Sequence, residues 1–189
     1  HECEIAQSVA ANGKMPVRYW MHNNMITING QKMGKSLGNS VALFDFFTGN
    51  HPLLGQAYSP MTIRFFILQA QYRGTLDFSN EALQASEKGL RKLMTGLKTV
   101  GSWQTPGGEG TPSTASEPGV NWAAGDFKKA CYDAMNDDFN SPMVIAQLFD
   151  ALRVINLVSD GKLVLPADER ALLAETYSTF MTDILGLVP

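Results

Sequence analysis

Lys32 and Lys35 stand three residues apart in the run Lys32-Met33-Gly34-Lys35-Ser36, which continues as Leu37-Gly38-Asn39. Each ammonium is a compact point charge with three donors, suited to phosphate oxygens that shift position during a reaction. Gly34 lets the backbone approach a ligand closely or take a positive φ, and Ser36 adds a further donor. A mobile loop of this make-up suits a polyphosphate and the charge that develops on it as a bond breaks. The GxxxxGK[ST] pattern is absent, so side chains more than a nest of backbone N–H groups would grip the phosphates. The competing reading is a solvated turn, because short Lys/Gly/Ser runs are common on surfaces.

The surrounding elements must position that loop. Residues 19–30 hold two β-prone runs parted by Asn23-Asn24 and ended by Asn29-Gly30, both turn pairs, so the loop is expected to leave the end of a strand pair. Residues 2–12 read as a helix with Ile5, Ala6 and Val9 on one face and Glu4 also on it. Ser59-Pro60 and Ser141-Pro142 each read as an N-cap followed by proline at the first helical position, where a missing N–H costs nothing. The first opens a helix over 61–72 with Ile63, Phe66, Ile67 and Ala70 on its apolar face; the second opens one over 143–158 with Val144, Leu148, Ala151, Leu152 and Ile155. Ser79 is expected to cap a helix reaching about residue 99, with Leu83, Leu90, Leu93, Met94 and Leu97 aligned. Phe127, Cys131, Ala134 and Met135 mark another over 124–136, and Leu172, Leu173, Thr176, Phe180 and Ile184 the last. Such stripes are the ordinary core faces of a helical bundle.

Composition narrows the class. At 189 residues one to two domains are expected. The two cysteines, Cys3 and Cys131, lie far apart and read as reduced thiols of a cytoplasmic protein. No apolar run reaches the roughly 20 residues that span a bilayer, and no signal peptide opens the chain. Charge is uneven: residues 1–100 carry 10 Lys/Arg against 6 Asp/Glu, and residues 101–189 carry 5 against 12. The first part is therefore the expected phosphate-facing surface, and the net charge of −3 argues against tight autonomous binding of RNA. Residues 101–121, rich in Gly, Pro, Ser and Thr, read as a flexible linker.

Five blocks together resemble one family, the cysteinyl-tRNA synthetases of class I. They are HECEIAQS at 1–8, YWMHN at 19–23, ING-KMGKSLGN from 28 to 39, YRGTLDFS at 72–79 and AMNDDFNSP at 134–142, in matching order across nearly the whole chain. Gly34 departs from the serine of the family's KMSKS, a loss of at most one hydrogen bond, on the order of 1 kcal/mol. The resemblance implies a mainly α chain: a short α/β remnant of a Rossmann-like catalytic domain over 1–50, a helical stem-contact region over 51–100, the linker, and a helical bundle over 122–189. It implies activation of cysteine with ATP, carried with Mg2+, to cysteinyl-adenylate, and transfer to tRNA(Cys). By analogy Lys35 is the main phosphate contact and Lys32 the second, within an ATP-binding set of Lys32, Met33, Gly34, Lys35 and Ser36.

The same resemblance implies a zinc ion that binds the substrate thiolate, since a soft thiolate bonds zinc far better than a hydroxyl does. Two of its ligands are the first His and last Glu of an HHExE stretch. Glu4 maps onto that Glu, whereas the ligand His would directly precede His1. The zinc site is thus expected to be incomplete, with Cys3 and His1 as bystanders. The chain also lacks an HIGH-type sequence and stops at 185–189, so a fragment is expected, without the first half of the nucleotide fold or the anticodon-binding domain, and not active alone. Arg64 lies on the helix before YRGTLDFS, and Arg73 is expected to meet either phosphate or Asp77. Asp137 and Asp138 read as turn residues before an N-cap, not as a magnesium site. Two other functions stay open: a cysteine ligase acting on an amino-sugar acceptor, and a non-catalytic helical module that binds tRNA or a partner.

Overall fold

The structure, a computed structural model, describes residues 1–103 and 122–189. Of the expected linker, residues 104–121 lie outside the described residues, while Gly101 to Trp103 form the last turn of a helix. The chain is mainly α with a short α/β part. Helix α1 (Glu2–Asn12) opens it; strands β1 (Ile26–Ile28) and β2 (Gln31–Lys32) follow, then a 3-10 turn (Lys35–Leu37) and α2 (Leu43–Thr48). Helix α3 (Pro60–Leu68), strand β3 (Leu76–Phe78) and the long α4 (Asn80–Trp103) lead to α5 (Ala124–Asn136), α6 (Ser141–Ser159) and α7 (Ala167–Ser178), which runs into a π-helical turn (Thr179–Ile184).

The sheet has the order β2-β1-β3, with β1 antiparallel to β2 and parallel to β3. Asn29 and Gly30 make the hairpin turn with φ of 50° and 76°, a left-handed pair that Asn and Gly tolerate best. Asp77 on β3 clamps it from the side, accepting from the Thr27 hydroxyl at 2.6 Å and the Gly30 amide at 2.8 Å. Arg73 therefore does not pair with Asp77, contrary to one of the two expectations for it. The Asp77 carboxylate is already taken up by the hairpin that feeds the lysine loop.

Two apolar cores share helices α3 and α4. Ile28, Val41, Phe46, Tyr58, Ile63, Phe66, Phe78 and Leu83 close the small α/β part, with the Phe78 ring 4.7 Å from Phe66 and 5.0 Å from Phe46. Phe65, Leu90, Leu93 and Val100 instead join Leu148, Ile155, Leu173, Tyr177 and Phe180 in the bundle core. Burying one such side chain contributes about 1.5–3 kcal/mol, so the bundle core carries most of the packing energy. Helix α1 lies outside both: none of its residues is buried, and the face of Ile5, Ala6 and Val9 is not a core face here.

Three helix boundaries differ from expectation. Helix α3 begins as read, with Ser59 Oγ accepting from the Thr62 amide, but ends at Leu68 instead of residue 72. Its tail peels away because Gln69 accepts from the Ser86 hydroxyl and the backbone of Tyr72 turns to meet Asn24. Ile67, placed on the apolar face by periodicity, is 48% exposed, and Phe65 is buried in its stead. At α6 the cap is Asn140, one residue earlier than expected; its side chain accepts from the Met143 amide. Ser141 is drawn inward, donating its hydroxyl to the Leu68 carbonyl at 2.7 Å. Helix α4 starts under the Ser79 hydroxyl as read but continues past residue 99 to Trp103. Helix α6 is the one helix among the described residues long and apolar enough to cross a membrane; its eight buried residues face the bundle.

Candidate nucleotide-binding site

Lys32 ends β2, and Lys35 opens the 3-10 turn, so the two ammonium groups flank a two-residue step at Met33-Gly34. The base of the loop is tied by one side chain. Asn39 accepts from the Gly34 amide at 2.9 Å and donates to the Lys32 carbonyl at 3.0 Å. Met33 is held to the sheet through its amide and the Ile26 carbonyl, and its side chain packs on the core of the α/β part. Gly34 is extended at φ −164°, a conformation open to any residue, so its place in the loop does not require glycine. Gly38 closes the turn at φ 68°.

What remains outward is cationic. Lys32, Lys35 and Ser36 are exposed, and no ion pair or hydrogen bond engages either ammonium group among the described residues. A free ammonium on a tied loop can meet an incoming anion without first breaking an internal partner, which keeps the whole Coulomb gain for the ligand.

Beside the loop's strand, Trp20, His22, Asn23, Asn24, Tyr72 and Arg73 line an open cleft of about 360 Å³. The Trp20 and His22 rings are stacked, 6.2 Å apart and 9° from parallel, and the His1 ring lies 4.7 Å from His22. In the sequence Trp20 and His22 stand out only as part of a resembling block; their ring types and alternate spacing are the signal that marks them.

Arg73 reaches across to the bundle. Its guanidinium bonds Asp138 with Nε 2.9 Å from the carboxylate, while the Tyr72 hydroxyl donates to the same carboxylate at 2.7 Å. The Tyr72 hydroxyl first and Asp138 second push the Arg73 guanidinium still further above its ordinary pKa. Asp138 thus sits in a turn, as expected, but also holds a long-range partner that no local pattern announced. Asp137 makes a backbone turn bond to Asp133. Arg64 is likewise engaged, donating Nε to the Leu185 carbonyl at 2.8 Å.

For zinc, the described residues alone do not suffice. Glu4 lies on α1 with its carboxylate 3.4 Å from His1 Nδ1, and among the described residues no three His, Cys, Asp or Glu side chains gather as a metal ion would need. Cys3 is exposed; Cys131 is fully buried, and burial pushes its thiol up to about 12.

Comparison with known proteins brings these parts together. The family model described as tRNA synthetases class I (C) catalytic domain matches residues 1–88, and the DALR domain model matches residues 130–188. The cysteine–tRNA ligases of Porphyromonas gingivalis, Bacteroides thetaiotaomicron and Phocaeicola vulgatus are 57%, 55% and 58% identical over 187 residues, which is 99% of this chain and 36% of each of theirs. The chain thus spans 36% of the length of these curated relatives. Lysine loop and aromatic cleft both fall within the first matching model and the bundle's α6 and α7 within the second, and the chain belongs to the cysteinyl-tRNA synthetase family.

Proposed function

We propose that the protein carrying this chain is a cysteine–tRNA ligase of the cytoplasm, and that Lys35 and Lys32 serve its first step. A carboxylate oxygen of cysteine attacks the α-phosphorus of ATP, which arrives with Mg2+. The bond between that phosphorus and the bridging oxygen breaks, and pyrophosphate leaves with the electron pair. Negative charge grows on the departing group during this step. An ammonium placed there stabilises the transition state more than bound ATP, and only such a difference raises the rate.

The observation that carries this reading is the pair of exposed ammonium groups, without a partner among the described residues, on a loop whose base Asn39 ties twice. Met33, Gly34 and Ser36 complete the ATP-binding set, Met33 as an anchor and Ser36 as a donor. Cysteine selection through zinc would take Glu4 together with further ligands. The second step passes the cysteinyl group to the terminal ribose of tRNA(Cys). The DALR domain match favours tRNA as acceptor over an amino sugar, because helical domains of this kind bind tRNA.

The test is ATP–pyrophosphate exchange by the full-length protein with cysteine, with serine, and without amino acid, followed by charging of tRNA(Cys) or of an amino-sugar acceptor. The reading expects cysteine-dependent exchange and tRNA charging. Exchange with no transfer to tRNA would favour the other acceptor, and no exchange at all would refute the ligase reading.

A further inference from the structure

We propose that Asp138, in the turn between α5 and α6, is a positioning residue for the lysine loop. Its carboxylate receives the Tyr72 hydroxyl at 2.7 Å, Arg73 Nη2 at 3.2 Å and Gln71 Nε2 at 3.3 Å. One acidic group of the bundle thus gathers three consecutive side chains of the segment between α3 and β3.

The same segment is tied on its other side to the strand that feeds the loop. The Tyr72 carbonyl accepts from the Asn24 amide at 3.2 Å, and the Arg73 carbonyl accepts from Asn24 Nδ2 at 2.9 Å. Asn24 immediately precedes Met25, whose carbonyl accepts from the Leu76 amide, and then β1, where Thr27 pairs with Lys32. A continuous set of hydrogen bonds runs from the bundle, through residues 71–73 and Asn24, to the strand pair that ends in Lys32.

A second observation supports the assignment. Asp138 and Phe139 are consecutive non-glycine residues with φ of 56° and 54°. Left-handed backbone is unfavourable for both, and for a bulky Phe above all, so it persists where surrounding contacts over-determine it. Here the turn is fixed by the bonds from the Phe139 amide to the Met135 carbonyl and from the Asn140 amide to the Ala134 carbonyl. Phe139 itself is 55% exposed, so its burial does not account for the strain. What the turn achieves is the presentation of the Asp138 carboxylate to Tyr72 and Arg73.

The catalytic consequence rests on the ligase reading; the mechanical one does not. The test is hydrogen–deuterium exchange in the full-length protein, comparing wild type with Asp138→Ala, Asp138→Asn and Tyr72→Phe. Peptides over 22–39 report the strand pair and loop, and peptides over 144–158 report the bundle core. Asp138→Ala is expected to speed exchange over 22–39 about tenfold and to leave 144–158 unchanged, since local opening is independent of global unfolding. Asp138→Asn, which keeps an acceptor for the Tyr72 hydroxyl and serves should the alanine variant misfold, is expected to show a smaller effect. The kcat of pyrophosphate exchange should fall about tenfold in Asp138→Ala with the KM for cysteine unchanged, the split expected of a lost transition-state contact.

Exchange over 22–39 equal to wild type, or acceleration spread equally over 144–158, would overturn the proposal. So would an unchanged kcat in a variant whose 22–39 exchange had risen. Absence of pyrophosphate exchange in the wild type would refute the ligase reading alone, and the deuterium comparison would still decide this one.

Discussion

Lys32 and Lys35 stand exposed on either side of a two-residue step, on a loop whose base Asn39 ties to two backbone groups. Among the described residues no ion pair or hydrogen bond engages either ammonium group, so the phosphate contact proposed for them needs no internal partner broken first. The sequence could not show what ties the loop, because Asn39 acts through two backbone groups that come together only once β1 and β2 have paired. Arg73 failed as a local reading for a similar reason: Asp77 is four residues away in sequence, but Asp138 is the carboxylate in reach. The exposed Arg73–Asp138 pair alone contributes little, because water screens it; the convergence of Tyr72 and Gln71 on the same group gives it direction. The cysteines offer a clean test at this scale. With its thiol pushed up to about 12, Cys131 holds about one thiolate in ten thousand at pH 8 and lies fully buried. Native protein restricted to this chain's cysteines should therefore yield one rapidly titrating thiol, Cys3, and two in denaturant. Two fast thiols without denaturant would mean that the α5 packing described here is wrong.

Among the elements, the long helices were legible because their apolar residues recur at 3.6-residue spacing, and the Leu83, Leu90 and Leu93 stripe of α4 is buried as read. Boundaries were less so. Asn140 and Ser141 are both good caps, and the choice fell to Asn140 because Ser141 has a buried carbonyl, Leu68, to satisfy. Nor could pattern alone foresee that α3 would divide its aromatic residues between two cores, Phe65 to the bundle and Phe66 to the sheet. Where α4, α6 and α7 meet, Gly96 is buried, and an added Cβ would lie 2.5 Å from Leu152 Cδ1 and 2.9 Å from the Tyr177 hydroxyl. Leu152 can swing away, whereas Tyr177 is held by its bond to the Leu93 carbonyl at 3.1 Å. Gly96→Ala should thus destabilise by about 1–3 kcal/mol through overpacking despite its better helix propensity. Denaturant unfolding would measure it, and a stabilised variant would contradict the packing.

At the scale of the whole molecule, side-chain hydrogen bonds among the described residues join the matched catalytic-domain segment to the DALR segment at three points: Asp138 with Gln71, Tyr72 and Arg73, Ser141 with Leu68, and Arg64 with Leu185. The last of these is crowded, since a Cβ on Gly186, at φ 63°, would meet the Arg64 guanidinium at 2.6 Å. Losing the Arg64 bond costs about 1.5–3 kcal/mol at most, while burial of Leu185 and Leu187 supplies about 3–6 kcal/mol between them. Arg64→Ala should consequently fold, with faster amide exchange confined to residues 181–187; loss of the folded state would show that the tail depends on Arg64 more than on its leucines. None of these joints was legible in the sequence, because each links residues more than 60 positions apart and none repeats a local pattern. Lys35 carries the proposed chemistry, and the most direct measurement is single-turnover adenylate formation by full-length protein carrying Lys35→Ala. A fall of about 10²–10³ in rate with cysteine affinity unchanged is the result expected for a group that acts on charge in the transition state. A rate equal to wild type would contradict it.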